Sequence, residues 1–237
     1  MTAQQLAEGI WRVPTSVADR DNAFFVDGDD GITLVDVGWA SAPAKLFKAL
    51  ARQGCATADL KRIVITHAHP DHVRGLAELR RHVTAEVLIH AADADWLRRG
   101  RVPAGGRSGV VGTLLDAVPL LHWKPVQPDG HLDDDEVIAG SNGLRVIHTP
   151  GHSPGHVVLL HEPTKTLLTG DAVFHRGTTP SRGPAALSHD AGVRDRSLRR
   201  LPIDVTSVGF AHGAPLIGSD VERYQAWLTS GGPDERR

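Results

Sequence analysis

Short apolar runs recur along the chain: GITLVDVG (31–38), KRIVITH (61–67), AEVLIH (85–90), LRVIHT (144–149), HVVLLH (156–161), TLLTGD (166–171) and VTSVGFAH (205–212). Runs of this length, rich in Val, Ile and Leu and bounded by Gly, Pro and Asp, predict buried strands. Between them the spacing turns helical. SAPAKLFKALARQG offers Ser41 as a cap, an early Pro43, Leu46, Phe47 and Leu50 on one face, and Gly54 as a stop. DHVRGLAELRR puts Val73, Leu76 and Leu79 on one helical face, and Ser219 with Glu222 has the form of a capping box ahead of Val221, Tyr224, Trp227 and Leu228. Residues 98–131 are the least regular, Gly- and Arg-rich and then Pro-rich with Trp123 among the prolines. A connection this long inside a compact domain is more often functional than not, so a loop with a short helix, covering a site, is expected there. The end of the chain, 230–237, is polar and expected to be flexible. No strict short repeat is visible, yet each half carries strands and a helix, which suits two similar halves face to face.

Length and composition narrow the class. The 237 residues suit one domain over 1–237, with 41% hydrophobic and 23% charged residues, as in ordinary globular proteins. The net charge is −2 with no block of like sign, which argues against nucleic acid or an anionic membrane surface as partner. Cys55 is the single cysteine, so no internal disulfide forms. The N-terminal stretch lacks a signal-peptide core and no run spans a bilayer, so a cytoplasmic protein acting on a small molecule is expected. Histidine is the outlier, at 14 residues.

Several of those histidines fall where apolar runs end. RIVIT is followed by His67 and His69, LRVIHTPG by His152, TLLTG by Asp171 and VTSVGFA by His212. Loops beyond strand ends are the natural place for a site, because rigid strands fix the Cα positions and loops supply the reach. In the His67-x-His69 pair, alternate residues of an extended segment point the same way and can share one ion. Pro70 breaks the extension, and Asp71 and His72 open the next helix, where they can serve a second ion. His82, His90, His131, His148, His161 and His189 stand alone and are assigned no role.

THAHPDH (66–72), TPGHSPGH (149–156), TGDAVF (169–174) and GFAHGAP (209–215), in this order, resemble the metallo-β-lactamase superfamily over about residues 10–228. The upstream GITLVDVG resembles that family's early strand ending in Asp and Gly. The resemblance implies an α/β fold, a four-layer αββα sandwich. It implies His67, His69 and His152 on a first metal, Asp71, His72 and His212 on a second, and Asp171 as a bridge. Two divalent ions, zinc by default with iron or manganese compatible, follow from these donor types. Asp36 and His156 are expected in supporting positions. Asp71 is also the expected catalytic group, orienting or taking a proton.

The implied activity is hydrolysis of an ester, thioester, lactone or lactam by a metal-bridged hydroxide, with no Ser or Cys nucleophile. Asp171 fills a slot that several true β-lactamases give to Cys. Only 25 residues follow His212, which weakens the glutathione-thioester reading. Where acyl-homoserine lactonases often carry Tyr, Phe174 has no hydroxyl to donate. His175 is adjacent, and with Phe174, His122 and Trp123 it is a candidate for the substrate pocket. Two other classes fit the fold: a mononuclear iron persulfide dioxygenase, which uses fewer ligands, and an inactive binding protein, in which ligands would be missing.

Overall fold

The computed structural model describes residues 3–17 and 20–232. Two sheets carry the chain. The first is built from β1 (Gln4–Ala7), β2 (Ile10–Pro14), β3 (Asn22–Asp27), β4 (Ile32–Val35), β5 (Leu60–Ile65), β6 (Glu86–His90) and β7 (Gly130–Leu132), in sequence order across the sheet. Its β1–β4 half is a meander of antiparallel strands, with Phe24 opposite Val35 in the β3–β4 pair. From β4 to β7 the strands run parallel, joined by crossovers carrying α1 (Ala42–Arg52), the short α2 (Pro70–Val73) and α3 (Leu76–Leu79), and then α4 (Ala91–Arg99) and α5 (Gly109–Asp116). The second sheet has the order β12-β11-β10-β9-β8, from β8 (Leu144–His148), β9 (Val157–His161), β10 (Thr166–Leu168), β11 (Ser207–Gly209) and β12 (Leu216–Ile217). The β10–β11 pair is parallel, and its crossover carries α6 (Ala191–Ser197); α7 (Val221–Thr229) ends the described chain.

Three separate apolar cores stack the layers. One lies between the first sheet and its helices, with Phe25, Leu34, Ile63 and Ile65 against Leu46, Leu50, Leu76 and Leu97. A second lies between the sheets, where Phe24, Val35 and Val64 meet Val146, Val157, Leu159 and Leu168. The third packs Val158, Leu167 and Val208 against Val221, Tyr224 and Trp227. Two sheets buried on both faces account for the continuous rather than alternating apolar runs. The result is helices, sheet, sheet, helices, the four-layer α/β sandwich expected. Among the described residues no helix is long and apolar enough to cross a membrane.

Local chemistry differs from the sequence reading at several points. The helix expected over 71–81 is two single turns, α2 and α3. Gly75 sits between them and its amide donates to the Gly38 carbonyl (2.8 Å); a Cβ at Gly75 would press on the Trp39 carbonyl and Pro43, so the close approach requires glycine. Ser41 makes no side-chain cap bond, and the expected capping box of Ser219 and Glu222 does not form: α7 starts at Val221, after a 3-10 turn over Gly218–Asp220. Residues 98–131 do contain a short helix, α5, and a 3-10 turn at Pro119–Leu121. Of the tail expected from 230, residues 233–237 lie outside the described residues.

Candidate metal centre

The site forms along one rim of the sandwich, where β4, β5, β8, β10 and β11 end. The backbone amide of Val157 donates to the Thr66 carbonyl (2.9 Å), tying the start of β9 to the loop after β5. This brings the His67–His72 segment against the 149–156 loop. Asp171 follows β10 and His212 follows β11, so each of the seven candidate ligands comes from a strand-end loop or from the helical turn α2 that follows β5. Three ligand groups result: His67, His69 and His152; His67, His72 and Asp171; and Asp71, His72 and His212, with the donor atoms in each lying within 4.8 Å of one another.

The Asp171 carboxylate sits between two sets of histidines. Its Oδ1 lies 3.2 Å from His72 Nε2 and 3.2 Å from His212 Nε2, and its Oδ2 lies 3.3 Å from His152 Nε2 and 4.0 Å from His67 Nε2. Asp71 Oδ2 lies 3.3 Å from His212 Nε2 and 4.0 Å from His72 Nε2. His69 Nδ1 and His152 Nε2 face one another at 2.9 Å. His67 Nε2, His72 Nε2 and Asp171 Oδ1 are buried without a hydrogen-bond partner. Buried polar atoms are normally paired, so unpaired lone pairs converging on one spot fit a cation. The donor set, histidine nitrogen and carboxylate oxygen, fits a divalent metal.

The ring orientations are set by a hydrogen-bond chain behind the ligands. Asp36 Oδ2 accepts from His72 Nδ1 (2.9 Å) and from Thr66 Oγ1 (2.8 Å), while its Oδ1 accepts from the Thr66 amide (2.9 Å). Because Thr66 Oγ1 spends its proton on Asp36, it accepts from His67 Nδ1 at 3.1 Å. Both rings therefore carry the proton on Nδ1 and turn Nε2 inward. Asp36 sits at φ +59°, a left-handed conformation that Asp tolerates better than most residues. His156 acts on Asp171 in a different way. Its Nε2 accepts from the Asp171 backbone amide (2.8 Å), so its Nδ1 carries the proton and donates to Thr149 Oγ1 (2.8 Å). His212 Nδ1 donates to the Arg20 carbonyl and lies 3.1 Å from Asp21 Oδ1. At Gly213, with φ +113°, a Cβ would fall on the His175 carbonyl oxygen, so glycine lets the His212 loop close.

Electrostatics divide the histidines in two. Burial holds His67 and His69 well below the usual imidazole range and brings His152 down to about 4. Burial pushes His72 and His212 the same way, but the carboxylates outweigh it: Asp36 and Asp171 at His72, and Asp171 with Asp21 and Asp71 at His212, hold both well above the usual range. For Asp71, burial is outweighed by His72 and His212, and its carboxyl falls to about 2. Asp171 is likewise held well below the carboxylate range, against burial, by His212, His72 and His152.

Several contributors had not been singled out from the sequence. Asp93, wholly buried in α4, accepts from the Ala68 amide (3.0 Å), Ser153 Oγ (2.6 Å) and the Gly155 amide (2.6 Å), bridging the two ligand loops. Thr66, Thr149 and Asp21 were also passed over. The available signal was position: Asp93 follows the AEVLIH strand just as the ligands follow theirs, but an acid in a first helical turn is ordinary and could not be separated from that. Of the four pocket candidates, Phe174 stacks on His212 with ring centroids 4.7 Å apart and planes 8° apart. His175 is buried and its Nδ1 donates to the Ala214 carbonyl (2.7 Å). His122 closes the Pro119–Leu121 turn. Trp123 is placed in the first core rather than with the histidines, its indole buried against α4 with Nε1 donating to the Leu97 carbonyl. A ring with this much apolar surface is held there by burial. Trp96 is the indole at the site, stacked on His69 at 6.1 Å.

Comparison with known proteins agrees with this geometry. Residues 18–210 match the family described as the metallo-beta-lactamase superfamily. The chain is similar to the probable metallo-hydrolase YqgX of Bacillus subtilis (strain 168), 29% identical over 70% of this chain and 72% of that protein. It is 33% identical to the acyl-coenzyme A thioesterase MBLAC2 of Homo sapiens over 66% of this chain, spanning 59% of that protein's length. Among solved structures, the metallo-beta-lactamase family protein TTHA1429 from Thermus thermophilus superposes with a TM-score of 0.73 at 26% identity, covering 95% of this chain and 80% of that one. Sequence family, fold and the histidine–aspartate cluster coincide, and the chain belongs to the metallo-β-lactamase superfamily as a metal-dependent hydrolase.

Proposed function

We propose that the protein hydrolyses a carboxylic ester or thioester at a dinuclear centre. The observation that carries this reading is the Asp171 carboxylate, with one oxygen toward His72 and His212 and the other toward His152 and His67. A carboxylate so placed would serve two ions at once. His67, His69 and His152 would hold the first, Asp71, His72 and His212 the second. Histidine and carboxylate together favour zinc, which needs no redox partner. Such ions supply Lewis-acid activation of the scissile carbonyl and of water.

The chain's own residues do the rest. Asp36, through His72 and through Thr66 to His67, fixes which nitrogen each ring presents. His156 holds the Asp171 backbone, and Asp93 holds the two ligand loops together. Asp71 has a quarter-exposed side chain, against 4% for Asp171, so it is the carboxylate with an open side from which to orient the attacking water and take its proton. Phe174 has no hydroxyl and contributes shape beside His212, which sets the site apart from one that donates a hydrogen bond to the carbonyl oxygen there. Similarity to a thioesterase supports the thioester end of the range over the lactam end.

The test is metal analysis of protein purified without chelator, followed by a panel of esters, thioesters, lactones and β-lactams. Saturation at about two ions per chain with turnover of esters or thioesters is the expected result. Saturation at one ion, or turnover confined to β-lactams, would refute this reading.

A further inference from the structure

Among the described residues eight large apolar side chains are exposed, and five of them, Val110, Val111, Leu114, Val118 and Leu120, fall within 110–120. Val110, Leu114 and Leu120 are 64–78% exposed. The helix α5 is two-sided. Its inner face carries Gly112, where a Cβ would meet Arg107 and the Ala186 carbonyl, and Asp116, whose carboxylate is buried against Arg107 (2.6 Å). Val110, Val111 and Leu114 stand on the opposite, outer face. A contiguous exposed apolar face of this kind marks a docking surface.

The charges around it are segregated. The chain leaves for this excursion and returns at one place, where the Trp123 amide donates to the Gly100 carbonyl (2.8 Å). Arg101 and Lys124 flank that crossing, both exposed, and among the described residues neither forms an ion pair. Arg98 and Arg99 precede it and share one acid, Asp95. From Trp96 to Pro128 the only acidic residue is the buried Asp116. Every exposed charge on this stretch is therefore positive, a segregation that the net charge of −2 averages away.

We propose that the 101–122 segment docks on an anionic lipid surface, with Val110, Val111, Leu114 and Leu120 entering the interface and Arg101 and Lys124 meeting the headgroups. Three features select lipid. The tip asks for no polar partner: Thr113 spends its hydroxyl on the Gly109 carbonyl (3.0 Å), and the amides of Val118, Leu121 and His122 donate to Leu115, Val118 and Pro119 carbonyls (3.0–3.1 Å). A protein partner would instead be met with hydrogen bonds across the interface. A second copy related by a two-fold axis would set the cationic collar against itself. An apolar face with a basic flank is the form that suits an anionic bilayer. The segment also stands beside the metal centre, since the Gly106 carbonyl accepts from His189 Nδ1 (3.2 Å) and the His189 amide donates to the His152 carbonyl (2.9 Å). A docked protein thus keeps its candidate centre near the bilayer. The docking goes beyond the hydrolase reading and does not depend on it.

The experiment is co-sedimentation of the protein with vesicles of phosphatidylcholine alone and of equal parts phosphatidylcholine and phosphatidylglycerol, with light scattering on lipid-free protein alongside. Wild type should partition onto the mixed vesicles at least about 10-fold more strongly than onto the neutral ones, and less so as salt rises. Val111→Ser with Leu114→Ser should lose about 10-fold or more while melting at the parental temperature, because both side chains are already in water. Arg101→Gln with Lys124→Gln should lose on the order of 10-fold on mixed vesicles only. Ile203→Ser, which removes an exposed apolar side chain outside the segment, should bind as the parent does. No partitioning onto mixed vesicles, equal partitioning onto both kinds, or partitioning that survives both double variants overturns the assignment. A lipid-free dimer that Val111→Ser with Leu114→Ser dissociates would overturn it as well and give the face to a second copy. Vesicle binding by a protein that hydrolyses no ester or thioester would overturn the hydrolase reading and leave the docking standing.

Discussion

Replacing Asp36 by Asn tests how far the metal centre depends on a residue that is not itself a ligand. The position has φ +59°, which Asn accommodates well; Ala there would add a backbone cost of about 1–2 kcal/mol and blur the result. Asp36 accepts three hydrogen bonds, from His72 Nδ1, Thr66 Oγ1 and the Thr66 amide. An amide oxygen in the Oδ2 position keeps the first two, and the amide nitrogen then meets the Thr66 N–H donor to donor. One bond to a charged acceptor is lost, worth about 1.5–3 kcal/mol, and the remaining two weaken as the charge disappears. At about 1.4 kcal/mol per factor of ten, this is roughly 10- to 100-fold, the range in which outer partners of metal-binding histidines act. Asp36 is also the foremost of the carboxylates that raise His72, so its removal makes that imidazole a poorer donor to a metal. His69 and His152 have no bond to Asp36, and His67 reaches it only through Thr66. Zinc titration of apoprotein against a chromophoric chelator should therefore show the weaker step shifted by about 10- to 100-fold and the tighter step much less. A well-folded variant with both steps at the parental affinity would show that Asp36 does not orient His72.

Asp171→Asn removes the charge placed between the two histidine sets and should abolish one or both metals, with a fall of at least about 100-fold in kcat/KM; Phe174→Ala, three residues on, should keep its metal and change only substrate preference or stability. Metal content and kinetics measured on the two variants together decide this, and a fully metallated, fully active Asp171→Asn protein would remove the bridge. Acidification should empty the second site first. His72 and His212 have raised pKa values, so protons compete with metal there from above the usual imidazole range and affinity falls as pH drops; His67 and His69 are depressed and His152 sits at about 4, so protons reach the first site only in stronger acid. Metal content after dialysis at stepwise lower pH should pass from two ions through one, and simultaneous loss of both would contradict the charge division.

The strands that matter most to the site were legible because they are buried on both faces. KRIVITH and TLLTGD read as continuous apolar runs, and their ends delivered His67, His69 and Asp171 to one rim. The antiparallel edge was not legible. In β1 the residues Gln4 and Gln5 are exposed, and Gly9 separates two strands too short to stand out. The helix over 71–81 was misjudged because side-chain periodicity carries no information about a backbone contact made by Gly75. The capping box at Ser219 failed because a 3-10 turn displaced the helix start, which residue identity does not encode. Trp123 was drawn toward the site by its neighbourhood in sequence, whereas burial in the first core decides its place. Asp93 went unnoticed because it acts through partners 25 to 62 positions away, and only the folded chain brings Ala68, Ser153 and Gly155 to it.

The electrostatic division of the site also bears on how several buried carboxylates are tolerated between these strand ends. Asp36, Asp71 and Asp171 lie on or beneath one small surface, with Asp21 at its edge, and several buried carboxylates without compensation would cost several kcal/mol each. His72 and His212 face these carboxylates, which favour their charged forms: His72 is flanked by Asp36 and Asp171, His212 by Asp171, Asp71 and Asp21. The first triad has one carboxylate oxygen to share and stays neutral instead, which removes mutual repulsion among three imidazoles. On the dinuclear reading, metal loading would exchange charge rather than add it: at the second site a dication would replace protons that serve the carboxylates, and proton release would offset part of its binding. At the first site, where burial keeps the imidazoles neutral, fewer protons would have to leave. On the dinuclear reading, the asymmetry in charge rather than in the number of ligands predicts the order in which the two sites fill.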